Sequence, residues 1–304
     1  MLKQYTSVDI QISTKCNLKC IHCCMDNSMK KNEDINFNKI KQFLKDNPQV
    51  DNVFLTGGEP LLTNLNELED LIDSFPNIYW MCSTNMVYEL TPQRLRILRK
   101  IDSVATSFDL DIRFGNIYNL IKWYHNCRYV IKNKVTKSGL EVYLTLTKKV
   151  CSIDPKRFMN LFVKMGFIRY KYRPLAKAGP GYIDENLRKI LYPNKKEFNE
   201  FIDKVLDLDD KTHNIFPWMI LNGYVHSCNY TRIQPLDPNG DKRECIFSEA
   251  YDCKCKIDPE CYSCKEYRYC GGRCPLRDCM FDKNIYDKTK EKYKDYKIQI
   301  KEEV

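Results

Sequence analysis

The sequence predicts an α/β protein in which strands and helices alternate six times, followed by a smaller cysteine-rich region. Two observations support the first part: strand-like runs alternate with amphipathic helical stripes, and unusual motifs fall where predicted strands end. A third, a dense group of cysteines after residue 227, marks the second part. Because repeated βα units pair in parallel with right-handed crossovers, we predict an open or closed βα barrel.

The composition is typical of a globular protein of the reducing cytoplasm. The 304 residues allow one large core, or one core with a small appendage. No run approaches the roughly 20 apolar residues that a bilayer requires, and the N-terminal residues lack the order of an export signal. We therefore expect a cytoplasmic location, where 16 cysteines are expected to bind metal rather than form disulfides.

The net charge of +9 and the isoelectric point of about 8.7 allow two interpretations. The lysines either solvate the surface or favour an acidic partner, such as a negatively charged peptide or nucleic acid. Solvation of the surface is the simpler of the two.

The first predicted strand, 7–13, alternates polar and apolar residues and ends in a loop that contains cysteines. A helical stripe follows at 35–47 and stops before Pro48, because a residue before proline disfavours the helical conformation. The next strand, 50–55, leads directly into the sequence Gly-Gly-Glu-Pro at 57–60.

The remaining units continue the same alternation. A helix is expected near 65–75, and a later helix begins with Pro92 at its first position, where the missing N–H costs nothing. The other predicted segments are a strand at 77–83, the Pro92 helix to about residue 100, a strand at 102–108, a helix at 113–136, a strand at 140–147, a helix at 154–166 and a strand at 167–174.

The loop after the first strand reads Thr-Lys-Cys-Asn-Leu-Lys-Cys-Ile-His-Cys-Cys from residue 14 to residue 24. Cys16, Cys20 and Cys23 have the spacing Cx3Cx2C, which suits three irons of a cubane cluster and leaves the fourth iron without a protein ligand. A tetrahedral zinc ion is the alternative, with His22 as a fourth ligand.

This loop, with the ring residue His22 just before the third cysteine, resembles the radical S-adenosylmethionine superfamily. The resemblance implies that His22 contacts the cofactor and that the open iron binds the amino and carboxylate groups of S-adenosylmethionine. It also implies that the reduced 4Fe-4S cluster passes an electron to the sulfonium, giving methionine and a 5′-deoxyadenosyl radical. The fold implied is the partial (β/α)6 radical SAM barrel.

A second motif, Gly57-Gly58-Glu59-Pro60, begins 34 residues after the third cysteine, the order seen in the same superfamily. Two glycines let the backbone approach a ligand and adopt positive φ, while Glu59 can accept a bond from a cation. Taken alone, the motif could be an ordinary glycine turn. The resemblance implies that it binds the ammonium group of the cofactor.

Further candidate cofactor contacts lie at the ends of later strands. Asn85 ends a Ser-Thr-Asn sequence where the family often has Thr-Asn-Gly, and Met86 replaces the glycine. Ser107 and Asp109 end the fourth strand, where the resemblance implies contacts to the ribose or the methionine end of the cofactor; turn residues are the alternative. Arg173, at the sixth strand, could clamp a carboxylate through two hydrogen bonds or be a surface residue.

The cysteines from 228 to 279 follow the order Cx9-15Gx4C, gap, Cx2Cx5Cx3C, gap, C, which is similar to the SPASM extension of many superfamily members. The turn sequence Asp-Pro-Asn-Gly at 237–240 lies between two short strand-like runs, so the first two cysteines can come together across a hairpin. The resemblance implies two auxiliary 4Fe-4S clusters. The nearer would bind Cys228, Cys245 and Cys274, and the farther would bind Cys261, Cys264, Cys270 and Cys279.

Two features depart from the SPASM pattern. The nearer cluster lacks an evident fourth ligand, so it is either open to substrate or completed by Cys253, Cys255 or His226. The gap before Cys279 is unusually short, which puts this ligand in doubt, and zinc remains an alternative for the Cx2C unit.

The predicted organisation has four parts. They are a radical SAM partial barrel at 1–190, a linking helix region at 191–217 with its helix at 195–208, a SPASM-type auxiliary domain at 218–282, and a charged C-terminal tail at 283–304.

The cysteines outside these motifs are expected to have simpler roles. Cys82 in a strand and Cys127 on a helix are expected to pack as small hydrophobic residues. Cys24, next to the ligand Cys23, could donate a hydrogen atom in catalysis, with packing as the alternative.

The resemblance implies an enzyme, because SPASM-bearing relatives mostly modify ribosomally made peptides or proteins. We predict a peptide maturase that forms a thioether or carbon-carbon crosslink, or that epimerises a residue. Its expected partners are a precursor peptide with an acidic leader and an external one-electron donor such as flavodoxin or ferredoxin; neither membrane nor nucleic acid is expected. Because the segment before the first predicted strand is short, we expect no separate leader-binding domain before the barrel.

Three alternative functions remain open. Two are maturation of a folded enzyme, as in formylglycine formation on sulfatases, and action on a small metabolite. The third is a non-catalytic iron-sulfur or zinc protein. The Gly-Gly-Glu-Pro motif argues against the third, because an electron carrier needs no open iron beside a glycine-glutamate loop.

Overall fold

The computed structural model describes residues 6–23, 32–110, 112–175, 184–208, 233–236, 263 and 283–292. Its strands are β1 (Ser7–Ser13), β2 (Asn52–Gly57), β3 (Tyr79–Thr84), β4 (Ser103–Ser107), β5 (Leu140–Leu146), β6 (Arg169–Pro174) and β7 (Ile233–Leu236). Its helices are α1 (Phe37–Asp46), α2 (Leu65–Ser74), α3 (Pro92–Lys100), α4 (Ile117–Lys132), α5 (Lys148–Cys151), α6 (Pro155–Met165), α7 (Glu185–Leu191), α8 (Lys195–Leu208) and α9 (Lys283–Lys292), and a short 3-10 helix spans Pro60–Leu62.

The strands form one parallel sheet in the order β6-β5-β4-β3-β2-β1-β7. The first six alternate with helices along the chain, so the predicted α/β fold with a partial barrel is confirmed. The seventh strand corresponds to the short strand-like run predicted before the 237–240 turn, but its pairing with β1 was not predicted. It lies within the range assigned to the auxiliary domain, yet it pairs with β1 at the edge of the barrel sheet. The domain boundaries stay a prediction.

Helix and strand ends differ from the predicted bounds where local hydrogen bonds decide them. Strand β2 starts two residues later than predicted, because the N–H of Val50 donates to the carbonyl of Asn47 in a turn at 3.0 Å. Helix α4 begins at Ile117 rather than 113, because the Asn116 side chain caps it and accepts from the N–H of Asn119 at 2.9 Å. Residues 108–110 and 112–116 thereby lie outside helix and strand, after the carboxyl end of β4.

The sheet buries one face under the helices and curves around the other. Alternate residues such as Ile10, Leu55 and Val142 are fully buried. The intervening residues face the concave side. Arg173 on β6 lowers the pKa of Asp9 on β1 although four strands lie between them. Strand β6 is one edge of the sheet and β1 lies next to β7 at the other, so an interaction between them agrees with the curvature of a partial barrel.

An aromatic cluster joins α4 and α6 to the sheet. The Phe162 ring is fully buried and lies 5.7 Å from the Phe108 ring, 5.9 Å from Phe167 and 6.0 Å from Tyr170, measured between centroids. Trp123 of α4 is also buried and donates its indole N–H to the Thr106 hydroxyl at 3.0 Å. This aromatic cluster fixes the position of strand β4, and with it the start of the loop that follows β4.

The described C-terminal helices pack beside this barrel. Helix α8 has the bounds predicted for the linking helix, and Lys288 of α9 pairs with Asp203 and Asp207 of α8, each at 2.7 Å. In the described part of the chain, no helix has the length and hydrophobicity that a bilayer-spanning helix needs.

Replacing Phe162 by alanine should lower the free energy of unfolding by about 3–5 kcal/mol, because it removes a fully buried ring from four aromatic contacts. Val163→Ala, next in sequence but 54% exposed, is the matched control and should change it by less than about 0.5 kcal/mol. Urea denaturation of both variants measures the difference. Equal losses would contradict the packing described here.

Candidate functional site

The cysteine loop leaves the carboxyl end of β1, where ligands bind in parallel sheets. Cys16 and Cys20 are partly buried against the hydrophobic core, and none of the three cysteines of the loop is in a disulfide. A turn closes the loop, because the N–H of Cys23 donates to the carbonyl of Cys20 at 3.1 Å. The three predicted cluster ligands are thus held on one short loop.

The described residues contain no group of three or more His, Cys, Asp or Glu side chains arranged around the position of a single metal ion. A cubane cluster has a different requirement, since each cysteine binds a different iron. The Cx3Cx2C loop therefore remains a candidate for a cluster, and its metal stays a prediction.

The loop after β2 contacts the backbone of the cysteine loop directly. The N–H of Gly58 donates to the carbonyl of Ser13 at 2.7 Å, and the N–H of Glu59 donates to the carbonyl of Lys15 at 2.6 Å. Gly57 has φ +119°, and a Cβ there would lie 2.4 Å from the Ser13 oxygen. At Gly58 a Cβ would lie 2.2 Å from the Lys15 oxygen. Both glycines are required because two backbones meet here.

The Glu59 carboxylate is fully buried and joins this loop to the end of β3. One oxygen accepts from the Thr84 hydroxyl at 2.7 Å and from the N–H of Leu61 at 3.1 Å, while the other accepts from the N–H of Asn85 at 2.6 Å. Burial raises the pKa of Glu59 to about 7 despite these bonds. The side chain predicted to accept from a cation thus accepts three bonds from the protein itself.

Asn85 connects the end of β3 to the cysteine loop. Its amide donates to the Asn17 side chain at 2.8 Å and lies 3.9 Å from the Cys16 sulfur, while its oxygen accepts from the N–H of Val87 at 2.8 Å. Asn17 in turn donates to the carbonyl of Val87 at 2.7 Å. Met86, in the position of the family's glycine, has φ +55° and a fully buried side chain. Met86 thus adopts the left-handed conformation, which usually favours glycine.

The loop after β4 places a buried ion pair beneath the cysteine loop. The Asp109 carboxylate accepts from the Nε of Arg113 and from the N–H of Thr145, the latter at 3.0 Å. His22 Nε2 lies 3.4 Å from the same carboxylate. Burial on its own would raise the pKa of Asp109, but Arg113, His22 and Thr145 together hold it well below its usual range.

Two further atoms in this region bear on ligand binding. His22 Nδ1 is buried and has no hydrogen-bond partner among the residues that the structure describes. The Cys20 thiol donates to the carbonyl of Arg113 at 3.7 Å. Burial raises the pKa of the Cys16 and Cys20 thiols, so these sulfurs ionise less readily until a cation binds them.

Polar residues continue along the concave face below the loop. Asp9 accepts from the Thr56 hydroxyl at 2.7 Å, and burial raises the pKa of Asp9 to about 6. The Arg173 guanidinium stacks on Tyr143 with its carbon 3.6 Å from the ring centre. The Arg173 side chain is exposed. Ser107 pairs with Tyr143 across β4 and β5.

The structure brings most of the predicted site residues to one end of the sheet. Together there are Cys16, Cys20, His22, Cys23, Gly57, Gly58, Glu59, Pro60, Asn85 and Asp109, with Ser107 and Arg173 on the adjoining concave face. Several predicted residues lie outside the described residues. They are Cys24, His226, Cys228, Cys245, Cys253, Cys255, Cys261, Cys264, Cys270, Cys274 and Cys279.

Sequence reasoning missed Arg113, Asn17 and Thr84. Arg113 follows Asp109 by four residues, a spacing that favours an ion pair within one turn, and this was the available signal. Nothing local identifies Asn17 or Thr84 as site residues, because the contacts that place them there are distant in sequence. Asn17 bonds to Asn85 and Val87, and Thr84 bonds to Glu59. The predicted small hydrophobic cysteines, Cys82 and Cys127, are both fully buried.

Comparison with known proteins supports a radical SAM domain. Residues 10–133 match the description "Radical SAM superfamily". An uncharacterized protein of Methanocaldococcus jannaschii is 24% identical over 213 residues, which cover 64% of this chain and 70% of the relative.

Solved structures share the fold at low identity. The complex "Native anSMEcpe with bound AdoMet and Cp18Cys peptide" superimposes with a TM-score of 0.66 at 16% identity, covering 95% of this chain and 96% of that chain. Streptococcus suis SuiB bound to S-adenosylmethionine superimposes with a TM-score of 0.60 at 16% identity, covering 91% of this chain and 77% of that chain. SuiB bound to precursor peptide SuiA superimposes with a TM-score of 0.56 at 17% identity, covering 94% of this chain and 66% of that chain.

Gly58→Ala should lower the free energy of unfolding by about 3 kcal/mol, because the new methyl group meets a backbone oxygen that cannot move alone. Gly115→Ala is the control: its φ of +68° is strained for alanine but nothing lies within 4 Å, so about 1 kcal/mol is expected. Urea denaturation measures both. A smaller loss at Gly58 than at Gly115 would refute the close contact between the loops.

Glu59→Gln should change how stability depends on pH. The folded pKa of Glu59, about 7, exceeds its ordinary value of 4.5, so its contribution to stability is full below pH 4.5 and is lost as the pH rises through 7. Glutamine stays neutral. The free energy of unfolding of the variant should therefore rise by about 3 kcal/mol relative to that of the parent between about pH 4.5 and 7.5. Urea denaturation at both pH values tests this, with the exposed Glu67→Gln as control. A pH-independent difference would show that Glu59 ionises normally.

Proposed function

We propose that this chain is a radical S-adenosylmethionine enzyme that modifies a ribosomally made peptide. The observation that carries the proposal is the cysteine loop at the end of β1, with its backbone bonded to the Gly57-Gly58-Glu59 segment. This arrangement combines the Cx3Cx2C spacing with a rigid backbone frame at the edge of the sheet where ligands bind. The match of residues 10–133 to the Radical SAM superfamily supports it.

The residues of the loop fit an iron-sulfur cluster. Cys16, Cys20 and Cys23 supply three soft sulfur donors, the type that iron-sulfur clusters require. The partly buried position of the first two limits access of water, and Asn85 directs an amide N–H toward the Cys16 sulfur. The buried His22 Nδ1 has no protein partner in the described residues, which leaves it available to a bound cofactor.

When bound, the cluster and S-adenosylmethionine would supply reductive cleavage of the sulfonium and removal of hydrogen from an unactivated C–H bond. The protein must hold the target carbon close and exclude water and oxygen. The 57–60 loop, Asn85 and Asp109 frame the cofactor end of this site, and Ser107 adds a hydroxyl. Arg173, which is exposed and stacks on Tyr143, would hold a carboxylate of the cofactor or of the peptide.

A peptide is the proposed substrate class. The structurally similar chain that is covered over 96% of its length carries a bound peptide, and SuiB is described with precursor peptide SuiA. The cysteines from 228 to 279 would bind two auxiliary 4Fe-4S clusters in a SPASM-type domain. Such clusters can take up the electron released when a substrate radical is oxidised, which favours formation of a thioether or carbon-carbon crosslink.

The proposal also includes the cellular partners. The enzyme would act in the cytoplasm on a precursor peptide with an acidic leader, to which the net charge of +9 is complementary. Flavodoxin or ferredoxin would deliver single electrons to the cluster.

Cys20→Ala should abolish production of 5′-deoxyadenosine under dithionite and remove about four irons per chain, because it removes one of three ligands of the proposed cluster. Cys151→Ala is the control, since this thiol lies on α5 outside the Cx3Cx2C motif, and it should leave both quantities unchanged. Chromatography of the anaerobic reaction and iron and sulfide analysis measure them. Undiminished cofactor cleavage in Cys20→Ala, or zinc in place of iron in the parent, would refute the proposal.

Mass spectrometry of a short peptide encoded beside the gene, incubated with the reduced protein, tests the substrate class. A mass change that requires S-adenosylmethionine supports peptide modification. An unchanged peptide with intact cofactor cleavage would instead favour a folded enzyme or a small metabolite as substrate. In the same preparation, about twelve irons per chain would support three cubane clusters, and about four would eliminate the two auxiliary clusters.

A further inference from the structure

The outward face of helix α4 carries a group of exposed apolar side chains. In the described part of the chain eight large hydrophobic side chains are exposed, and five of them lie on this one helix: Ile117, Tyr118, Ile121, Tyr124 and Tyr129. Most are spaced by three or four residues, so they share one side of the helix. The helix already buries its other side on the sheet, so this group is not part of the core. A contiguous exposed apolar group of this kind marks an interaction surface.

The same face is positively charged. Lys122, Arg128 and Lys132 are exposed, and the sequence of α4 contains no aspartate or glutamate that could pair with them. The Arg128 guanidinium lies over Tyr124, with its carbon 5.9 Å from the ring centre. Helix α6, which packs beside α4, likewise contains no acidic residue. By contrast, Lys100 of α3 pairs with carboxylates of the adjacent helix α2. The surface at α4 therefore attracts an acidic partner.

Helix α4 begins at the end of the sheet where the cysteine loop lies. It connects the carboxyl end of β4 to the amino end of the parallel strand β5, so its first turn is at the carboxyl end. The carbonyl of Arg113, four residues before Ile117, accepts from the Cys20 thiol at 3.7 Å. Four residues of chain span at most about 14 Å, so the exposed first turn is close to the cysteine loop. From there the 16-residue helix runs about 24 Å along the outside of the barrel.

We propose that the exposed face of α4 is the docking surface for an acidic one-electron donor protein. The inference rests on the proposed function, which requires an electron to reach the cluster bound by the cysteine loop. One electron would leave the reduced donor and enter the cluster, and no bond would form or break. The face is complementary in charge to such a donor, and it is rich in the aromatic and arginine side chains that are enriched at protein interfaces.

The size and place of the face also suit an electron donor. A single helix face supports only a small interface, and transient electron-transfer complexes bury less than about 1,200 Å² in total. The face lies outside the barrel, so a donor could reach the cysteine loop while a substrate occupies the concave side. A second copy of this chain fits poorly, because two such faces would bring like charges together. An acidic leader of the precursor peptide shares the charge of a donor, and the experiment separates the two.

Binding is measured by biolayer interferometry with the anaerobically reconstituted full-length protein. The immobilised probes are one flavodoxin and one ferredoxin, both acidic. Lys122→Glu with Arg128→Glu should raise the Kd for the donor at least about tenfold, because attraction becomes repulsion. Tyr118→Ser with Ile121→Ser should also raise it about tenfold, because it removes apolar contact area without changing the charge.

The matched control is Lys45→Glu with Arg99→Glu. Both residues are exposed and lie in the last turns of α1 and α3, which are at the opposite end of the sheet from the cysteine loop. This variant changes the net charge of the protein by the same amount as the α4 charge variant. Its Kd should match that of the parent.

Formation of 5′-deoxyadenosine then tests whether docking delivers electrons. With limiting reduced flavodoxin or ferredoxin as the only reductant, the rate should fall at least about tenfold in both α4 variants and stay at the parent level in the control. With dithionite, which is a small molecule and needs no docking surface, all variants should match the parent.

Other results would overturn the inference. They are a parent-like Kd in both α4 variants, an equal loss in the control, or no binding of either probe by the parent. Loss of dithionite-driven peptide modification in the α4 variants, with cofactor cleavage at the parent level, would assign the face to the precursor peptide instead. If the charge variant fails to fold, the serine variant decides, and a parent-like Kd there overturns the inference. If the parent forms no 5′-deoxyadenosine even with dithionite, the proposed function fails, so the two failures are distinguishable.

Discussion

The contact between two loop backbones at the ends of β1 and β2 is the constraint on which the site depends. Gly57 and Gly58 lie so close to the carbonyls of Ser13 and Lys15 that no side chain fits between them. The resulting hydrogen bonds fix the point where the chain leaves β1 and enters the cysteine loop. Because the two strands are adjacent and parallel, this frame is rigid before any cofactor binds. The glycines therefore shape the cysteine loop itself, in addition to any ligand contact.

Two buried carboxylates in this frame have pKa values shifted in opposite directions. Glu59 receives bonds only from neutral donors and its pKa rises to about 7, whereas Asp109 is paired with Arg113 and its pKa is held well below the usual range. The difference follows from the partners, since burial acts on both groups in the same direction. Glu59 thus joins β2 to β3 with a carboxylate that titrates near neutral pH, while Asp109 stays ionised there and pairs with Arg113.

The concave face separates the two ends of the proposed reaction. The cysteine loop, the 57–60 loop and Asn85 occupy the carboxyl ends of β1 to β3, where the cofactor would bind. Asp9, Tyr143 and Arg173 lie along the face between β1 and β6, where a substrate would lie against the sheet.

The sequence by itself determined the βα alternation, the order of the motifs and most members of the site, because strand period, helix caps and cysteine spacing are local properties. It did not predict that β7 pairs with β1, that helix α4 begins only at Ile117, or that Arg113 pairs with Asp109. Only the tertiary structure decided that Glu59 bonds to Thr84 and Asn85 and that Asp109 bonds to Thr145 and His22. These partners are far apart in the chain and meet only when parallel strands place their carboxyl ends side by side, so no local pattern records them.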